Sequence, residues 1–478
     1  MSIATEISRL QQAKADIKTS IEAKGVSVPS TTTIDGYSAL IDQIPQGEDE
    51  ELKDVMFFDY DGTPLYQYTK EEFALLESLP PNPTHAGLTA QGWNWTLADA
   101  KTYVATYGML DIGQTYITDD GKTRLYITID DSNYKSPTLF WYQTISEGVE
   151  IDWGDGSGIE KVAGNGNKSL THIYGSIGRY VIKMNPVSGT FNLGQNSATN
   201  CIICGIDESR NKYIGLLTNV ELGSSVYMSS SCFSNNYNLK TITIYSITNL
   251  PTYVFAGCLS LKAAMLPSGC AQLVTNTFFG CTNLKHVSIP KSVTTFSGGS
   301  VFTGCSVLKR ICLTEGMTTL SGGYFQSCSN IEQIVLPNGI TSIQSSALNG
   351  CQSLKNIIFP GSITDISSSG LSNCMRLFDI EIPANVTALG SSAFQSNRCL
   401  TTVKVRSNPI IGANCFNACS IMKRYYFYST TPPVLAGTNV FAGNSSDFVI
   451  YVPSSAVNDY KEAQYWSTYA GRIEAMPE

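Results

Sequence analysis

The sequence has few charged residues and almost no histidine. Only 15% of its residues are charged, against about 25% in an average soluble protein, and its three histidines (His85, His172 and His286) stand in unrelated contexts. The sequence therefore offers few side chains for acid–base catalysis or metal binding, and neither a cofactor nor a metal is expected. The 40 Gly, 25 Tyr and 19 Phe instead favour β-rich modules joined by tight turns, and disfavour a helical bundle or a disordered chain.

Two further absences concern location and charged partners. The N-terminus has an acid at Glu6 and no apolar run behind a basic start, and no stretch approaches the roughly 18 apolar residues of a membrane span. Neither a secretory signal peptide nor membrane insertion is expected. The 31 Lys and Arg against 39 Asp and Glu leave a net charge of −8, and no cluster of basic residues stands out along the chain. Nucleic acid is therefore not an expected partner.

A repeat fills the second half of the chain. The pattern Phe-x-x-Cys/Asn-x-x-Leu recurs at intervals of 22 to 25 residues. After each Cys/Asn position comes a short strand closed by proline, for example residues 284–290, whose apolar positions alternate as in a strand with one buried face. No unit can bury that face alone, so the units are predicted to stack into a solenoid. The Cys/Asn positions are Asn236, Cys258, Cys281, Cys305, Cys328, Cys351, Cys374, Asn397, Cys419 and Asn444.

The interchange of Cys and Asn at one position of the repeat explains seven of the 14 cysteines. Both side chains are small and can bond neighbouring backbone at a tight turn, so these residues are interpreted as a ladder. The alternative, a disulfide framework or a metal array, is disfavoured because an unsecreted chain keeps its thiols reduced. The lone pair Cys201 and Cys204 is interpreted as buried strand residues, since a zinc site would need a second pair.

Units such as residues 346–360 resemble the BspA-type leucine-rich repeat of surface and adhesion proteins of anaerobic bacteria and of their phages. The resemblance covers about residues 215–475. It implies a repeat domain over 196–445 and a C-terminal cap over 446–478, in which Tyr460 and Trp466 cover the last coil.

The first residues carry apolar side chains with the 4-3 spacing of a coiled-coil seam. Because isoleucine at both seam positions favours three or more strands, a homotrimer is predicted; an amphipathic helix packed on its own chain is the alternative. Residues 7–44 resemble the head of phage tail and baseplate-associated fibre proteins. That likeness implies that residues 1–47 attach to other virion tail or baseplate proteins. The seam residues are Ile3, Ile7, Leu10, Ile17 and Ile21.

Residues 52–112 resemble a Listeria-Bacteroides repeat, a small β-grasp module, with Trp93 and Trp95 as its core anchors. The same segment matches the phosphotransfer motif of haloacid dehalogenase-type phosphatases, in which Asp59 would be the nucleophile and Asp61 the general acid. That reading is the remote alternative, because no doubly wound α/β domain follows the motif.

Residues 113–195 resemble a PKD-type immunoglobulin-like sandwich with Trp153 in its core. Asp152 and Asp155 flank glycines and are interpreted as turn residues; a calcium site is the disfavoured alternative.

These segments predict a multidomain, mainly β, non-enzymatic protein. The predicted function is a phage tail or baseplate fibre, assembled in the host cytoplasm and located in the virion, that binds a bacterial surface glycan or protein. A bacterial cell-surface leucine-rich-repeat adhesin is the alternative. Outward strand positions of the solenoid are the candidate receptor contacts, and each of them could equally be a solvated strand residue. They are His286, Arg310, Gln333, Asn356, Asp379, Glu381, Arg424 and Tyr426.

Overall fold

The computed structural model describes residues 53–195, 201–204, 213–245 and 247–477. The predicted N-terminal helical segment and its seam lie outside these residues, so the trimer stays a prediction. From Asp54 onward the described residues form one compact unit.

The first described segment is a four-stranded mixed sheet with two helices. Thr69 and Glu72 form a capping box at the start of the first helix, and Gly108, in a left-handed conformation, ends the second. The strand order is β2-β1-β4-β3, with β1 parallel to β4. We call residues 54–118 the N-terminal module. Its elements are β1 (Val55–Phe58), β2 (Pro64–Tyr68), α1 (Lys70–Ala74), β3 (Leu88–Trp93), α2 (Leu97–Tyr107) and β4 (Leu110–Thr118).

The next segment forms a sandwich of two sheets. Trp153 is fully buried between them, as expected, and its indole nitrogen donates to Glu160 at 2.7 Å. The resemblances to PKD and Listeria-Bacteroides modules remain predictions. The strands are β5 (Thr123–Ile129), β6 (Thr138–Gln143), β7 (Val149–Asp152), β8 (Ile159–Val162), β9 (Gly166–Thr171), β10 (Gly178–Pro186), β11 (Phe191–Leu193) and β12 (Ile203–Cys204).

The remaining strands belong to the solenoid and confirm the predicted mainly β fold of stacked coils. They are β13 (Leu217–Glu221), β14 (Val226–Met228), β15 (Thr241–Thr243), β16 (Ala263–Met265), β17 (Gln272–Val274), β18 (His286–Ser288), β19 (Thr295–Ser297), β20 (Arg310–Cys312), β21 (Thr319–Leu320), β22 (Gln333–Val335), β23 (Ser342–Ile343), β24 (Asp365–Ile366), β25 (Asp379–Ile382), β26 (Ala388–Leu389), β27 (Thr402–Val405), β28 (Ile410–Ile411), β29 (Arg424–Phe427), β30 (Val449–Val452) and β31 (Ile473–Ala475).

Strands of successive coils pair in parallel and form two columns. One column contains the pairs β16-β18 and β20-β22 and the sheet β25-β27-β29-β30-β31. The other contains the pair β17-β19 and the sheet β21-β23-β24-β26-β28. We call the solvent side of the first column the strand face.

Within each coil, small residues allow the tight turns and the Cys/Asn position links neighbouring coils. Gly350 has a φ of 79°, a left-handed conformation that favours glycine. The Cys351 thiol donates to the Phe325 carbonyl of the preceding coil at 3.3 Å. The Asn397 carbonyl oxygen instead accepts from the Cys374 amide of the preceding coil at 2.8 Å. Either side chain thus bonds the coil before it, which confirms the ladder interpretation.

The solenoid is covered at both ends. At its start, β5 pairs with β13 and β11 pairs with β14, so both sheets of the sandwich continue into the first coils. A single buried cluster runs from Leu125 to Ile473. At its end, Tyr460 and Trp466 are fully buried, and the Trp466 indole nitrogen donates to Pro433 O at 2.7 Å, as the predicted cap requires. The final helices are the 3-10 helix Ser454–Ala456, α3 (Val457–Glu462) and the 3-10 helix Trp466–Arg472.

Candidate functional site

The strand face presents two rows of outward side chains, because alternate residues of a strand point to opposite sides. Parallel register places equivalent residues of successive coils next to one another, as in the pairs Ala263–His286 and Arg310–Gln333. The first row is Ala263, His286, Arg310, Gln333, Asn356, Asp379, Thr402 and Arg424, and the second is Met265, Ser288, Cys312, Val335, Ile358, Glu381, Lys404 and Tyr426.

The N-terminal module packs on the first part of this face, over β16, β18, β20 and β22. Asn94 donates to Leu266 O at 2.8 Å, the Trp95 indole nitrogen donates to Ile289 O at 3.0 Å, and the Tyr103 hydroxyl donates to Leu313 O at 2.6 Å. All three module side chains are buried. We call this part the covered half. The sequence predicted a small module over residues 52–112 without placing it on the solenoid, and the packing shows that specific hydrogen bonds hold it there.

A buried ion pair lies at the centre of the covered half. Arg310 is 4% exposed and Asp111 of β4 is 2% exposed. The Arg310 Nε donates to Asp111 Oδ1 at 2.9 Å, and its guanidinium makes a second, shorter contact with the same oxygen. The expectation that Arg310 points to solvent as a receptor contact is therefore corrected, because its charge is used to hold the module.

His286 also faces the module. Its ring stacks on Phe58 of β1 with the centroids 4.2 Å apart. Burial lowers the pKa of His286 to about 4, so the imidazole is neutral near pH 7. In this arrangement, His286 lies at an internal interface.

Five of the other six candidate receptor residues lie on the part of the face that the module does not cover, and Gln333 lies on β22, the last strand of the covered half, with its side chain exposed. Gln333, Asn356, Asp379, Glu381 and Arg424 are exposed, and Tyr426 is half-buried. We call the surface of β25, β27, β29 and β30 the open half. The structure brings Glu381 and Tyr426 into the same row, on either side of Lys404.

Tyrosine rings and an arginine order the open half. Tyr426 stacks on Tyr451 with the centroids 5.1 Å apart. The Arg406 guanidinium lies 3.9 Å from the ring centroid of Tyr428, and its Nε donates to Glu381 at 2.8 Å. Because the tyrosines use ring faces on each other, they offer a partner chiefly their edges and hydroxyls. Such a surface can combine hydrogen bonds with apolar contacts to a partner. Tyr and Arg are enriched among the residues that contribute most to binding in protein interfaces.

The covered half was not predicted, although the sequence contains a signal for it. Outward positions of the early coils hold Met265, Cys312 and Val335, whereas the open half holds Glu381, Lys404 and Tyr426 at the same positions. Apolar side chains on the outward row of a sheet indicate that a second layer covers it.

The residues of the phosphatase alternative occupy a turn after β1. Asp59 is 5% exposed and lies 2.7 Å from the His85 imidazole, and Asp61 accepts from the Thr63 amide at 2.9 Å. The sheet that carries them is mixed and four-stranded, which is not the doubly wound parallel sheet that this chemistry requires. In the described ranges, no group of three or more His, Cys, Asp or Glu side chains is arranged to hold a metal ion.

The acidic residues of the sandwich stabilise turns, as the sequence predicted. Asp152 accepts from the Gly154 amide at 2.9 Å, and Asp155 accepts from the Ser157 amide at 3.0 Å. Bonds from Ser157 and His172 lower the pKa of Asp155 to about 2. Cys201, from the lone cysteine pair, is buried and its thiol donates to Ile203 O at 3.1 Å; the Cys204 side chain lies outside what the structure describes.

Comparison with protein families identifies the repeats. A sequence profile of the BspA type leucine rich repeat region matches residues 206–332 and 318–446, about half of the chain. The chain therefore belongs to the BspA-type leucine-rich repeat family.

Several solved structures are similar in fold. A leucine rich cell surface protein of Faecalibacterium prausnitzii shares 19% identity over 62% of this chain and 84% of its own, with a TM-score of 0.33. The pneumococcal vaccine antigen PcpA shares 15% identity over 54% of this chain and 73% of its own, with a TM-score of 0.33. A leucine-rich repeat protein of T. pallidum shares 22% identity over 46% of this chain and 86% of its own, with a TM-score of 0.27.

No curated protein matches the chain. Among the helices that the structure describes, none combines the length and apolar character needed to cross a membrane.

Proposed function

We propose that this protein is an adhesin whose open half binds a glycan or protein on a cell surface, without a catalytic step. The observation that carries the proposal is the division of the strand face. Intramolecular contacts bury one half, while the other half leaves Arg424, Glu381 and the Tyr426–Tyr451 pair available to a partner. Solenoids use extended faces of this kind for binding.

The proposal places the chain at a bacterial cell surface, as the resemblance to BspA-type surface and adhesion proteins implies. The alternative location, the tail or baseplate of a phage, depends on residues 1–47, which lie outside the described residues. Attachment to virion proteins and trimer formation through that segment stay predictions.

Replacing Arg424 and Tyr426 together by Ala tests the proposal. Both side chains point away from the core, so the melting temperature should stay nearly unchanged. Binding of the full chain to host cells should fall about tenfold or more, since tyrosine and arginine are frequent hot-spot residues. Binding would be measured by cytometry with labelled protein at equal folded concentration.

A matched control is the double variant Arg179→Ala and Tyr227→Ala, which removes the same two exposed side-chain types from β10 and β14. The control should bind as the unaltered protein does. Equal losses in the two doubles, or full binding by the Arg424/Tyr426 variant, would reject the open half as the contact surface. Protease or periodate treatment of the cells distinguishes a protein ligand from a glycan.

A further inference from the structure

Positive charge is concentrated in the first coils of this acidic protein. Between Glu221 and Glu315 the chain contains no Asp or Glu, but it contains five Lys and one Arg. Two of these six cations are paired with the N-terminal module: Lys291 lies 2.5 Å from Asp99, and Arg310 pairs with Asp111. The remaining four are Lys240, Lys262, Lys285 and Lys309.

These four lysines occupy the same position in successive coils. The Lys262 amide donates to Lys240 O at 3.3 Å, and the Lys285 amide donates to Lys262 O at 2.8 Å. The column continues past Lys309, whose carbonyl accepts from the Glu332 amide at 2.7 Å. Neighbouring parallel strands lie about 4.8 Å apart, so the four lysines form a row about 14 Å long. All four are exposed, and we call them the lysine row.

Three members of the lysine row, Lys240, Lys262 and Lys285, differ from the later lysines of the column in their charged neighbours. Later in the column, Lys355 pairs with Glu332 of the coil before it at 2.6 Å, and Lys423 pairs with Asp447 of the coil after it at 2.9 Å. Within the described ranges, Lys240, Lys262 and Lys285 make no such ion pair. Like charges side by side on neighbouring strands repel, and an uncompensated violation of a local rule is characteristic of a functional site.

We propose that the lysine row binds an acidic polysaccharide, extended along the solenoid axis, that carries carboxylate or sulfate groups on its successive sugars. A row of lysine ammonium groups on flexible side chains can pair with the successive charges of one linear polyanion. The polyanion then releases its bound counterions, which favours binding. An anionic membrane would need a broad basic surface, which a row one residue wide does not provide.

Single-stranded nucleic acid fits the row less well. Its binding sites combine basic grooves with successive aromatic rings on which the bases stack. Three positions before each lysine, only the first of the four coils has an aromatic side chain. These residues are Tyr237, Leu259, Thr282 and Ser306.

The test compares heparin, polygalacturonate, neutral dextran and a thymidine oligonucleotide as ligands of the full chain, by calorimetry at low and at physiological salt. At least one of the two acidic polysaccharides should bind, more weakly as salt rises, and dextran should not. Heparin distinguishes recognition of sulfate, and polygalacturonate recognition of carboxylate. The triple variant Lys240→Gln, Lys262→Gln and Lys285→Gln should lose roughly tenfold or more in affinity.

The matched control, Lys161→Gln, Lys355→Gln and Lys423→Gln, changes the net charge equally at three exposed lysines outside the row. It should retain the affinity. The triple variant of the lysine row should have a melting temperature no lower than that of the unaltered protein, because removing three positive charges relieves their mutual repulsion. Equal losses in both triples, no binding of either acidic polysaccharide, or tighter binding of the oligonucleotide than of both would overturn the proposal.

Discussion

The covered and open halves of the strand face share one backbone and differ in their outward side chains. In the covered half the outward residues include Met265, Cys312 and Val335, and its Arg310 is neutralised by the N-terminal module. In the open half, Glu381 and Tyr426 occupy equivalent positions and face solvent. The coil repeat therefore builds the face, while the outward residues decide whether an internal or an external partner occupies it.

The largest expected effect concerns the buried ion pair. Arg310→Met should lower the free energy of unfolding by about 3–5 kcal/mol, because it leaves the Asp111 carboxylate buried without its counter-charge. Arg424→Met in the open half should change it by less than about 0.5 kcal/mol. Denaturant unfolding measures both.

The double variant Asp111→Leu and Arg310→Met is the control for that experiment. It should recover most of the loss, since replacing both members of a buried pair by apolar residues is often close to neutral. Similar losses for Arg310→Met and Arg424→Met would mean that the covered half contributes no more to stability than the open half.

A smaller effect should appear as a pH dependence of the covered half. Burial lowers the pKa of folded His286 to about 4, against about 6.5 when unfolded. The unfolded chain therefore binds more protons between these values, and stability should fall as the pH drops through this window, by about 2 kcal/mol at pH 5.

His286→Gln removes that titration and should flatten the stability profile between about pH 4 and about pH 6.5. Melting temperatures across this range, with the unaltered chain beside the variant, provide the measurement. Parallel profiles for the two proteins would contradict the assigned burial of His286.

The smallest effect distinguishes two tyrosines. Tyr103→Phe removes the hydroxyl that bonds Leu313 O in the covered half and should destabilise the protein by about 1 kcal/mol. Tyr426→Phe in the open half should leave stability within about 0.5 kcal/mol of the unaltered value. A reversed order of the two melting temperatures would show that the hydrogen bonds of the covered half are not what holds the module.

Local sequence patterns predicted the coils of the solenoid and the residues that cover its last coil. The spacing of the Cys/Asn positions predicted the coils, and the apolar alternation around residues 284–290 predicted which residues point inward. The end residues Tyr460 and Trp466 were predicted as a cap and are fully buried. The candidate site was predicted in part: Arg424 and Tyr426 lie on the open half, whereas Arg310 and His286 lie under the module.

The repeating coil follows from the sequence alone, because its signals lie within some 22 to 25 residues and recur in every unit. Which part of the strand face is left for a partner depends instead on long-range packing. Asp111 and Arg310 are separated by 199 residues, and no periodicity relates them. Their pairing depends on how the N-terminal module packs against coils that form much later in the chain. That packing divides one continuous face into a covered half and an open half.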